Sequence, residues 1–165
     1  MHFKSPLMLC ANRCKQCEMN EDQPNFELRE SGNFLRLTLI KQNYPDSDDP
    51  WDRKWIESGV EFKVDSFTGK FQGDFMITDF ESFRQQLQKL YKDLKGFANF
   101  DSPDNFVKIQ MKGDGIGHIE AKCAVSDDGG ISKNFEFRLQ LDQTQVPEII
   151  NGLEVFTKRF ATLKN

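Results

Sequence analysis

Two stretches of this chain change period in the same way. Residues 70–77 place Phe71, Gly73, Phe75 and Ile77 on one face of a strand. From residue 78 the spacing lengthens to that of a helix, with Phe80, Phe83, Leu87, Leu90, Tyr91 and Leu94 along one stripe. Shifted by 66 residues, Phe71 falls on Phe137, Phe75 on Leu141, Thr78 on Thr144, Phe83 on Ile149, Leu87 on Leu153 and Leu90 on Phe156. A one-faced strand that runs into a one-striped helix needs a shared core on one side. The chain therefore reads as α+β: an antiparallel β-sheet of about seven strands, with two long helices packed on one face. The repetition fits a duplicated β-meander-plus-helix unit and equally a pattern that arose twice.

The other strands follow from alternation. Phe26–Arg29 and Leu35–Leu39 form a hairpin about Ser31-Gly32-Asn33. Val60, Phe62 and Val64 share a face of the strand 55–64, and Ser66-Phe67-Thr68-Gly69 reads as the following turn. Thr78-Asp79-Phe80-Glu81 has the spacing of a capping box, and Gly96 reads as the helix stop. Residues 99–105 read as a polar turn region, and Phe106–Lys112 as a strand. Next come a strand over 116–126, a turn at Asp127-Asp128-Gly129-Gly130 and a strand with Phe135, Phe137, Leu139 and Leu141 inward. Thr144 is the expected N-cap of the last helix, whose stripe runs Val146, Ile149, Ile150, Leu153, Phe156, Phe160 and Leu163.

A chain of 165 residues suits one domain. Sixteen phenylalanines against two tyrosines point to a large core, since phenylalanine has no polar tip to keep wet. The net charge of −4 speaks against non-specific nucleic-acid binding and fits an acidic face for a basic partner. No apolar run is long enough to span a membrane, and the start lacks the apolar stretch of a secretory signal, so the cytoplasm is the expected location.

Residues 1–25 show no periodicity and read as a flexible tail before a single α+β domain at 26–165. They hold Cys10, Cys14 and Cys17, spaced C-x3-C-x2-C. That spacing is similar to the cluster motif of radical S-adenosylmethionine enzymes. The polar run that follows and the short remainder do not suit such an enzyme. A zinc site with His2 as fourth ligand fits no common finger spacing. An inert tail, with Met19 as an alternative start, is the simpler reading, and a metal or iron–sulfur protein using Cys10, Cys14 and Cys17 is the alternative to it.

The most unusual composition lies at 44–56. Two prolines exclude a helix there. Asp46, Asp48, Asp49 and Asp52 supply acceptors for the loop's own N–H groups, and their spacing is not that of an EF-hand. Trp51 and Trp55 are expected to pin the loop to the body, being too large to leave wet. His118 has Glu120 two residues on, while Cys123 should point to the opposite face, so a structural histidine is the better reading. A small-ligand site on the open sheet face around His118 is the competing one. No nucleophile elbow, phosphate-binding glycine loop or H-E-x-x-H motif is present.

Three stretches together resemble the WapI-type immunity proteins of bacteria. Pro45–Ile56 is similar to that family's P-D-x-x-D-x-W-D-x-N-W-L/I run, with Lys54 in place of the usual Asn. Gly117-His118-Ile119 resembles a G-H-I segment of a middle strand, and Asp142-Gln143-Thr144 the D-Q-T that opens a C-terminal helix. The resemblance spans roughly residues 26–163. It implies a small, non-enzymatic cytoplasmic protein, without cofactor, that binds and blocks a cognate toxin domain, commonly a nuclease. An inhibitor of a nuclease faces a surface built to hold phosphates, so its own contact surface should be acidic. Asp46, Asp48, Asp49 and Asp52 are placed at that contact on this ground, with Trp51 as its anchor.

Overall fold

The computed structural model describes residues 22–162. Four strands lead into a helix, and the arrangement then repeats. The first half comprises β1 (Asn25–Glu30), β2 (Asn33–Gln42), β3 (Trp55–Val64), β4 (Phe67–Met76) and α1 (Ile77–Asp93). The second comprises β5 (Lys95–Asp101), β6 (Val107–Asp114), β7 (His118–Val125), β8 (Phe135–Asp142) and α2 (Val146–Thr162). Each half forms its own antiparallel sheet, in the orders β1-β2-β3-β4 and β5-β6-β7-β8.

The α+β class stands, and the single sheet of about seven strands is corrected to eight strands in two sheets. The missing strand is β5, in a stretch read in part as polar turn. It starts one residue beyond Leu94, which caps α1 in the left-handed conformation (φ 56°), so Gly96 lies inside the strand. Ala98 and Phe100 of β5 face the core, while Phe97 and Asn99 face out. Phe106 stands before β6 and turns its ring toward Phe71 and Phe75.

Both helices begin differently from the expected caps. β4 passes straight into α1, whose N-cap is Met76 with no side-chain hydrogen bond, so the Thr78/Glu81 box does not form. α2 starts at Val146, and Thr144 turns its N–H and its hydroxyl to the Asp142 carboxylate instead. The turn after β3 is also tighter than expected, with Val64 pairing directly with Phe67. Tyr91 is exposed, one residue off the buried stripe of Phe80, Phe83, Leu87 and Leu90. Leu163 lies outside the described residues.

One core serves both halves. Phe80 of α1 sits at its centre. Its ring centroid lies 4.4 Å from that of Phe156 on α2, 4.9 Å from Phe100 on β5 and 5.9 Å from Phe75 on β4. A second aromatic group joins the sheets, where Phe62 of β3 stacks on Phe135 and Phe137 of β8 at 5.1 and 5.9 Å. This stack explains Gly69, the cross-strand neighbour of Phe62. A Cβ there would lie 2.2 Å from the Phe62 ring, which is itself held between its neighbours. The buried faces of the two helices match under the 66-residue shift, but α2 begins at 146 where the shift would place 143.

Candidate functional site

Residues 43–54 connect β2 to β3. The loop is held at its base: Asn43 N–H donates to the Trp55 carbonyl at 3.0 Å, and the Asn43 side chain donates to Asp74 Oδ1 at 2.8 Å. The Gln42 amide donates to the Arg53 carbonyl at 2.6 Å. Inside the loop, Asp49 Oδ1 accepts the Trp51 N–H at 2.8 Å and Ser47 Oγ donates to Asp52 Oδ2 at 3.1 Å. Asp49 and Asp52 therefore act as the internal acceptors that their residue type suggests. Asp46 and Asp48 make no such bond in the described residues and stand exposed, as Asp49 does. The loop ends in a 3-10 turn at Asp52–Lys54.

The expectation that both tryptophans pin the loop is corrected. Trp55 is half-buried at the start of β3, but Trp51 is 56% exposed. The hydrogen bonds just named do the pinning, which frees Trp51 for the surface. Its ring has a cation for company, Lys54 Nζ at 5.2 Å from the centroid. Lys54 is the position that departs from the family run, and here it screens one face of the indole. Tyr44, not singled out from the sequence, is 55% exposed at the other end of the loop. Its signal was its place beside Pro45 in the same unusual run. The loop thus presents two aromatic rings and three exposed carboxylates.

The other two resembling segments meet each other. His118 pairs across the ladder with Asp142, and Gln143 N–H donates to the Gly117 carbonyl at 2.8 Å. His118 Nδ1 lies 2.7 Å from Asp114 Oδ2, and Asp114 Oδ1 accepts the Ile116 and His118 N–H groups at 2.8 and 3.2 Å. The Ile116 N–H, then the His118 ring, hold the Asp114 carboxyl below the usual carboxylate range. The Thr144 hydroxyl and N–H do the same for Asp142. This arrangement ties the ends of β6, β7 and β8 together. The His118 side chain is 73% exposed and lines none of the described cavities.

A cavity of about 610 Å³ does lie over the second sheet, but among Lys108, Gln110, Lys122 and Arg138. Cys123 faces inward, away from His118, and burial pushes its thiol up to about 12, which leaves it inert as a nucleophile. Cys10, Cys14 and Cys17 lie outside the described residues. Among the described residues no group of three or more His, Cys, Asp and Glu is placed to hold a metal ion. No helix among them is long and apolar enough to cross a membrane.

Two solved structures are similar to the chain over most of its length. One is from a guide-RNA-binding protein complex bound to its guide RNA: 11% identity, TM-score 0.48, covering 86% of this chain and 94% of that one. Another is MRP1/MRP2 of Trypanosoma brucei: 11% identity, TM-score 0.44, covering 86% of this chain and 85% of that one. No curated protein matches the chain. The family model of the WapI-like immunity proteins matches residues 26–161, from the second residue of β1 into the last turn of α2, and the chain belongs to that family.

Proposed function

We propose that this protein acts in the cytoplasm by binding a cognate toxin domain and blocking it, without catalysis, and that loop 43–54 makes the contact. The supporting observation is Trp51. A tryptophan left more than half exposed, on a loop fixed at its base and flanked by Asp46, Asp48 and Asp49, is the composition of an interface anchor. The surrounding carboxylates suit a basic surface such as a nuclease cleft, and they speed encounter with it. A fixed base lowers the ordering cost of binding.

The test starts at the gene. An immunity gene is expected directly downstream of one for a large secreted protein with a variable C-terminal toxin domain. That domain, produced with an inactivating substitution, should co-purify with this chain. Failure of the two proteins to associate would overturn the reading.

A further inference from the structure

At three of the four sheet edges a side chain hydrogen-bonds the backbone of one edge residue. At β5, Gln86 of α1 accepts from the Asn99 N–H at 2.9 Å and donates to the Asn99 carbonyl. At β8, Glu30 accepts the Gln140 N–H at 2.8 Å, and at β1 the Gln145 amide donates to the Arg29 carbonyl at 2.8 Å. The edge of β4 has no such plug. Counting from the Val64–Phe67 pair that closes the hairpin, the alternation of antiparallel pairing turns the backbone groups of Thr68, Lys70, Gln72 and Asp74 outward. No hydrogen bond from elsewhere in the described residues reaches them.

Beside this edge runs a groove of about 520 Å³, between β4 and the 126–134 connection, with Phe62, Phe71 and Phe135 in its lining. The aromatic stack that starts in the core at Phe137 emerges here through Phe135 to Phe67, which is 62% exposed, and Ile131 nearby is 89% exposed. Lys70 and Lys133 line the groove, and neither has an ion-pair partner among the described residues. Asp127 is the one carboxylate in the same lining. On the outer face of the same sheet, by contrast, Arg36 bridges Glu27 and Glu61, and Lys41 meets Glu57.

We propose that the β4 edge and its groove bind an extended acidic segment of a partner protein. The segment adds to the first sheet as a further strand and seats a large apolar side chain against Phe67, Phe71 and Phe135. Backbone bonds supply the pairing, the groove selects the apolar residue, and the lysines select acidic flanks. The groove lies toward the far end of β3 from loop 43–54, at Phe62, seven residues beyond Trp55, about 23 Å at about 3.3 Å per residue, while the edge itself runs back to Asp74 at the loop's base.

The probe is a short fluorescein-labelled peptide that alternates glutamate and valine around one central phenylalanine, titrated into the whole chain, with a lysine-for-glutamate peptide as control. Binding of the acidic peptide alone is expected, with slowed amide exchange at 68–74. Lys70→Glu with Lys133→Glu should weaken binding by about tenfold. Gln72→Pro should abolish it with the fold intact, since the lost N–H faces away from β3. If that variant unfolds, the lysine pair decides. No binding up to about 1 mM, equal binding of the lysine peptide, or protection on the second sheet would each overturn the proposal. So would self-association of the chain that Gln72→Pro or the lysine pair removes, which would make a second copy the occupant.

Discussion

Phe80 touches rings from β1, β4, β5 and α2 and is fully buried. Phe80→Ala leaves a cavity that rigid neighbours from both halves cannot collapse into. The expected loss is about 3–5 kcal/mol in urea unfolding. One residue away the environment reverses. Asp79 is half-buried in the first turn of α1, and one of its carboxylate oxygens is buried without a partner. Burial, then the nearby Asp101, raise its carboxyl above the ordinary value. A raised folded value means the charged form is disfavoured by folding, so the cost is full above that value and fades as pH falls toward the unfolded one. Asp79→Asn should therefore unfold at a higher temperature than the parent near about pH 7, with the gap narrowing as pH falls and closing by about pH 4. At this scale periodicity was a good guide to burial, because an apolar side chain in register has one place to go. It misplaced Tyr91 and Trp51, whose size suggested burial while their positions lay off the stripe and on a loop held by other residues.

Turns and junctions belong to the element scale. Ser31 and Gly32 close the first hairpin with φ 47° and 86°, the pair of left-handed conformations of a type I′ turn. Serine is strained there and asparagine is not, so Ser31→Asn should raise stability by about 0.5 kcal/mol in thermal unfolding. The strands adjoining this turn were legible because alternation and a glycine-containing turn coincide. The junctions around α1 were not. Capping rules assume a loop between strand and helix, and here β4 enters α1 and α1 leaves for β5 with almost none. The helix end at Leu94 uses a left-handed leucine, which no composition rule flags. Asp142 likewise took over the role assigned to Thr144, because an aspartate two residues upstream can accept both of that residue's donors.

At the scale of the whole molecule, neither half has a core of its own. Phe80 stacks on Phe156 across the helix pair, and Phe62 stacks on Phe135 and Phe137 across the sheets. Residues 22–94 and 95–162 produced separately should each lack the dispersed amide spectrum of a packed protein, and mixing should restore it. The repeat of strand and helix was visible in the chain, but the division into two sheets was not. Alternation reports which face of a strand is buried, not which strand lies beside it, and Ala98 and Asn99 hid β5. Of the candidate contact, the acidic and aromatic composition of loop 43–54 was readable. That Trp51 stays at the surface depends on Gln42, Asn43 and Asp74, which are distant in sequence or outwardly unremarkable.

The measurement that bears most directly on the immunity reading is growth of cells that make the toxin domain encoded beside this gene. They would carry the parent chain, Trp51→Ala, or the combined Asp46→Ala, Asp48→Ala and Asp49→Ala chain. All of these substitutions fall on exposed side chains, so the fold should be kept, and only Asp49→Ala removes a bond within the loop, the one that accepts the Trp51 N–H. The parent is expected to protect. Trp51→Ala should weaken toxin binding by about 2 kcal/mol or more, and the triple variant should slow association and lose protection as salt rises. Folded variants that protect as well as the parent would contradict the assignment of the contact to this loop, and a parent chain that protects no cell would contradict the immunity function itself.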